Sequence, residues 1–145
     1  MTGFATSRSE ARYPKPPKRA RKARKPLRKK ARRKAKLRDA DALFSQYIRT
    51  RDGWACRVCG SPLRIQCGHV ISRRYHAVRF DPMNAVALCA RCHMKYTRNP
   101  LAWEAWVEER FPGRLGLLKG QALAAHARPD FDALCDSLRL AIGGK

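Results

Sequence analysis

Two Cys-x2-Cys pairs, Cys56/Cys59 and Cys89/Cys92, stand 29 residues apart in a chain of 145. Two such knuckles offer four thiolates, the donor set that suits tetrahedral zinc. A closed four-sulfur site does no chemistry. It supplies folding energy and ties the first knuckle to the start of a later helix. The gap is longer than in a compact zinc ribbon, so a functional segment is inserted between the knuckles. A redox pair or two disulfides are the weaker alternatives. The N-terminus is charged but has no apolar h-region or cleavage site, so a reduced, cytoplasmic setting is expected. Two cysteines lie outside the site: Cys135 reads as core, and Cys67 reads as core or as an approach to a second metal.

Charge is the second constraint. The chain carries 33 Lys+Arg against 11 Asp+Glu, a formal net charge of +22. Residues 1–38 hold 17 of those cations and a single acid, Glu10. Pro14, Pro16, Pro17 and Pro26 interrupt this segment, and almost nothing in it is apolar, so residues 1–38 are expected to form a disordered basic tail. Its Ala-, Lys- and Arg-rich end, from Leu27 to Arg38, has the composition to turn helical once an anion neutralises it. Such a tail binds nucleic acid strongly, salt-sensitively and without regard to sequence, through residues such as Lys29, Lys30, Arg32, Arg33 and Lys34. No apolar run approaches the ~18 residues that span a bilayer, and no apolar anchor supports a membrane partner.

The remaining hundred or so residues read as α+β, with a domain over residues 39–112 and a helical extension over 113–145. Asp39 or Asp41 is expected to cap a helix through about Arg51, with Leu43, Phe44, Tyr47 and Ile48 on one face. Asp52-Gly53 ends it. Ile65 to Ile71 reads as a strand with Ile65, Cys67 and His69 on one face, and Ala85 to Leu88 as a second. Between them lies a basic loop, residues 72–84. Cys89 to His93 opens a helix, and Asn99-Pro100 caps the next, with Trp103, Trp106, Val107 and Phe111 inward as core. Helices near 115–125 and 129–142 complete the chain.

Inside and just after the knuckles stand His69, Asn84 and His93. The strings GHVISRR, RFDPMNAVALC and CARCH resemble the HNH, or ββα-metal, endonucleases. The zinc-knuckled arrangement is similar to that of Holliday-junction-resolving phage endonucleases. The run from DALFSQYIRTRDGWACRVCG to CHMKYTRNPLAWEAWVEERFP more particularly resembles the NinG/Rap recombination proteins of lambdoid phages, over residues 38–112 or so. The resemblance implies a small zinc-stapled ββα-metal core with flanking helices. It also implies a metal-dependent DNA endonuclease acting on branched or structured DNA in phage recombination.

The residue types suit that chemistry. Phosphodiester hydrolysis needs a base for water and a positive centre for charge developing on the phosphate. His69 is the candidate base, since imidazole titrates near neutral pH. His93, beside the zinc, is the candidate ligand for a divalent ion, Mg2+ or Mn2+. Asn84, as the resemblance implies, braces the loop and orients His69. Arg73 and Arg74 are candidates to grip neighbouring phosphates. Many members of the family place an acidic or His ligand immediately before the base, where this chain has Gly68. Asp81 or Cys67 is then left to complete the metal site, although Asp81-Pro82 also reads as a turn starter. Gly68 favours the competing reading, a non-catalytic zinc-stapled DNA-binding accessory or regulatory protein. A homodimer, with the C-terminal helices as interface, would suit two-fold cleavage of a junction.

Overall fold

The structure, a computed structural model, describes residues 29–124 and 129–144. Helix α1 spans Lys29–Arg51, strand β1 Ile65–His69 and strand β2 Ala85–Cys89. Helices α2, α3, α4 and α5 span Ala90–Arg98, Pro100–Arg110, Arg114–Leu123 and Phe131–Gly143. The strands form a two-stranded antiparallel sheet in which Ile65 faces Cys89 and His69 faces Ala85. The architecture is α+β, helices gathered around one small hairpin.

Helix α1 crosses the boundary expected at residue 38. Residues 29–38 are helical, not part of a disordered tail, and residues 1–28 lie outside the described residues. The reason lies further along the helix. Ala40, Phe44 and Ile48 are fully buried and hold its C-terminal half, and a nucleated helix propagates cheaply through Ala, Lys and Arg. Asp39 and Asp41, expected as caps, therefore sit inside the helix. Asp41 accepts two hydrogen bonds from the Arg79 guanidinium, at 2.9 and 2.6 Å.

Strand β1 ends at His69, two residues earlier than expected, because Asn84 captures the chain beyond it. The Val70 amide donates to the Asn84 carbonyl (2.7 Å), and the Ile71 amide donates to Asn84 Oδ1 (2.7 Å). All five residues of β2 are buried. One cluster on this strand joins Ile65, Val86 and Leu88 to Tyr96, Trp103, Val107 and Leu118, from α2, α3 and α4. The other joins Ala85 to Phe44 and Ile48 of α1 and Leu138 of α5. The C-terminal helices α4 and α5 pack into the body, since Leu118 of α4 is fully buried in the first cluster and α5 contributes Leu138 to the second. Trp103 and Trp106 stack at 5.3 Å between centroids within the core side of α3, as their spacing predicts. No helix among the described residues is long and apolar enough to cross a membrane.

Candidate functional site

The four knuckle cysteines come together as expected. Their sulfurs all lie within 4.8 Å of one another, with Cys56, Cys89 and Cys92 buried and Cys59 exposed. Cys59 Sγ and Cys89 Sγ are 3.7 Å apart. That is far beyond a disulfide bond and close to the edge of roughly 3.8 Å that a tetrahedron with zinc–sulfur bonds of about 2.3 Å requires. Local geometry builds the site. Gly60, at φ +72°, closes the first knuckle, where its amide donates to the Cys56 carbonyl (2.8 Å). Cys89 caps α2, its sulfur accepting from the Cys92 amide. Burial pushes the Cys56 thiol up, but backbone amides near it outweigh that and bring it down to about 7. Cys92 is driven upward by burial and by the sulfurs around it, the crowding a cation relieves. The cluster could hold a structural metal such as zinc.

The residues expected to carry chemistry occupy the other end of the hairpin. A cleft of about 350 Å³ is lined by Asp41, Ser45, Cys67, His69, Ser72, Arg73 and His93. His69 is half-buried, its ring 5.8 Å from that of Phe44. Its Nε2 lies 3.2 Å from the Arg79 carbonyl, an atom that only accepts, so Nε2 carries the proton and donates. Burial holds the ring below the usual histidine range, opposed by that carbonyl. His69 and His93 also border a smaller hollow of about 100 Å³, together with Gly68, Leu88, Tyr96, Thr97 and Trp103.

His93 stands one residue beyond Cys92 on α2, and its Nδ1 donates to Gln66 Oε1 at 2.6 Å. The Nε2 lone pair is then the one that remains for a ligand. Asn84 is fully buried and does not line the cleft. It donates through Nδ2 to the carbonyls of Ile71 (3.0 Å) and Val78 (2.8 Å) and accepts at Oδ1 from the Ile71 amide. It is thus a positioning residue, clamping both ends of the loop that presents the Arg79 carbonyl to His69. Arg73 borders the cleft, while Arg74 is exposed beside it.

Of the two expected second metal ligands, only Cys67 borders the cleft. The Asp81 carboxylate accepts from the Met83 amide (2.7 Å) as the cap of a 3-10 turn and does not border the cleft. Cys67 borders it and packs against the Phe44–Ile48 cluster, where burial pushes its thiol up to about 11. A larger residue at Gly68 would force Leu88 to shift. A Cβ there would meet Leu88 Cδ1 at 2.6 Å. Among the described residues, the four cysteines form the only cluster of three or more candidate metal donors.

Sequence reading missed Gln66, Asp41 and Arg79. Gln66 was not legible, since strand alternation puts it on the face opposite Cys67 and His69 and its partner His93 is 27 residues away. Asp41 and Arg79 carry no local signal, being 38 residues apart. No family model, curated protein or solved structure matches the chain.

Proposed function

We propose that this cleft is the catalytic site of a metal-dependent DNA endonuclease of the HNH, ββα-metal kind, cutting branched or structured DNA as a NinG/Rap-like recombination protein would. The observation that carries the reading is the state of His69. With its Nε2 proton given to the Arg79 carbonyl, a neutral ring keeps its lone pair on Nδ1. Burial favours that neutral form. A water attacking phosphorus forms the new P–O bond and gives its proton to Nδ1. The bond to the leaving sugar oxygen breaks, and that oxygen takes a proton from solvent. Arg73, on the wall of the same cleft, holds a neighbouring phosphate oxygen.

His93 Nε2 would hold the divalent ion, which when bound stabilises charge on the phosphoryl and leaving oxygens. With one imidazole, and with the cleft's carboxylate, Asp41, engaged by Arg79, the donor set fits an ion completed by water and substrate phosphate rather than a resident one. Gly68 supports the second reading, a zinc-stapled DNA-binding accessory protein, because Leu88 fills the space a further ligand would need.

Plasmid nicking separates the two. His69→Ala should lower single-turnover cleavage by roughly 10²–10⁴-fold, with zinc content and DNA affinity retained. His93→Ala should lose activity and regain part of it at high Mg2+ or Mn2+. A His69→Ala protein that cuts at the wild-type rate, or a wild type that does not cut, replaces the nuclease with the binding module.

A further inference from the structure

Helix α1 does more than close the cleft. Asp41 and Ser45, one helical turn apart, supply its α1 wall. At 3.6 residues per turn, the same stripe runs back through Arg38, Lys34 and Lys30, at spacings of three, four and four. All three are exposed. The other cations of this half-helix point elsewhere: Lys29, Arg32, Arg33 and Lys36 line a separate hollow, and Lys36 is paired with Asp132 of α5. The single acid on the stripe, Asp41, is neutralised by Arg79 through two hydrogen bonds. Asp39, two residues before it, falls on the far side.

We propose that Lys30, Lys34 and Arg38 form a phosphate-binding track that leads one backbone of a DNA duplex along α1 into the His69 cleft. The inference rests on the cleft being where a phosphodiester is cut. Lys30 precedes Asp41 by 11 residues, which at 1.5 Å per residue is roughly 16 Å. At 3.4 Å per step along a strand, the track engages phosphates as far as about five base pairs to one side of the cleaved bond. The helical part of the basic segment is then a directional arm, distinct from a diffuse cloud of charge.

Two triple variants of the full chain test this, each removing three charges from the same half-helix. One carries Lys30→Gln, Lys34→Gln and Arg38→Gln, and the other Lys29→Gln, Arg32→Gln and Arg33→Gln. Gln keeps helix propensity, and circular dichroism of both proteins checks that α1 persists. Binding to a 30-base-pair duplex is titrated against salt without added divalent cation, so no cleavage enters the measurement. The track variant should lose roughly 3 from the slope of log affinity against log salt, and the other variant less than about 1. Equal losses, a larger loss in the second variant, or no loss in the first would overturn the track. Failure of the nuclease reading shows separately, as absence of nicking by the wild type. A selective loss in the track variant would then still establish the arm.

Discussion

A histidine serves as a base only if one nitrogen is committed and the ring stays neutral; at His69, the base of the proposed site, the Arg79 carbonyl commits Nε2 and burial favours the neutral ring. Asn84 grips the carbonyls of Ile71 and Val78, and Asp41 grips the Arg79 guanidinium, so the loop carrying the Arg79 carbonyl is held at each end. Arg79 is tied down a third time, donating through Nη1 to the Arg73 carbonyl at 2.9 Å. The ring that receives this carbonyl is depressed from the ordinary value of 6.5, chiefly by burial. The sign follows directly. Protonation is the form burial penalises, so the neutral base persists to lower pH than in an exposed histidine. Single-turnover cleavage should therefore rise with pH and reach half its plateau below 6.5. Measured from about pH 5 to 8 at fixed divalent concentration, a midpoint above 6.5 would mean that burial does not govern the base.

At the scale of elements, the sheet and α2 bring His69 and His93 to one cleft, and within the sheet Gly68 leaves no room for a Cβ beside Leu88. Leu88 is almost wholly buried, so the clash a Cβ at residue 68 would make with it cannot be relieved by swinging into solvent. Gly68→Ala should cost about 1–3 kcal/mol through overpacking. The same substitution should cost far less in a Leu88→Ala background, which removes the opposing atoms, and denaturant melts of the zinc-loaded proteins give this coupling. Additive losses would place the strain in the backbone instead. This hairpin also marks what a sequence conveys. The knuckles, both strands, α3 with its Asn99 cap and the core tryptophans are legible because spacing and alternation are local properties. The reach of α1 is not, because charge repulsion argues against a helix while the burial of Phe44 and Ile48 that anchors it is tertiary. Nor is Asp52 legible as more than a turn residue, yet its carboxylate accepts from the Ala87 amide (2.8 Å) on the open edge of β2. Its neighbour Arg51 donates to the carbonyls of Pro82 (2.6 Å) and Ala85 (2.9 Å). These links between the end of α1 and β2 span 31 to 35 residues, beyond any local pattern.

For the whole molecule, the question is whether two small apolar clusters can stand without the metal. Adjacent residues of one strand, Ala85 and Val86, belong to different clusters, so neither can loosen without disturbing the other. Cys56, Cys89 and Cys92 are themselves members of the larger cluster. Structural zinc contributes on the order of 10–16 kcal/mol to folding, whereas a domain of this size retains only about 5–15 kcal/mol in total. A zinc held by the four cysteines would therefore be comparable to the whole margin, and its removal should not be a local event. The protein should carry one zinc per chain by elemental analysis and melt in a single transition that includes α1 and α5. Chelation, or Cys92→Ser, should abolish that transition and with it near-ultraviolet dichroism from Trp103 and Trp106, which pack beside the β2 face bearing Leu88. A zinc-free protein that still melts cooperatively would show that the clusters carry the fold unaided. If instead the α1–α5 side kept its structure while the tryptophan signal vanished, β2 would not couple the two clusters.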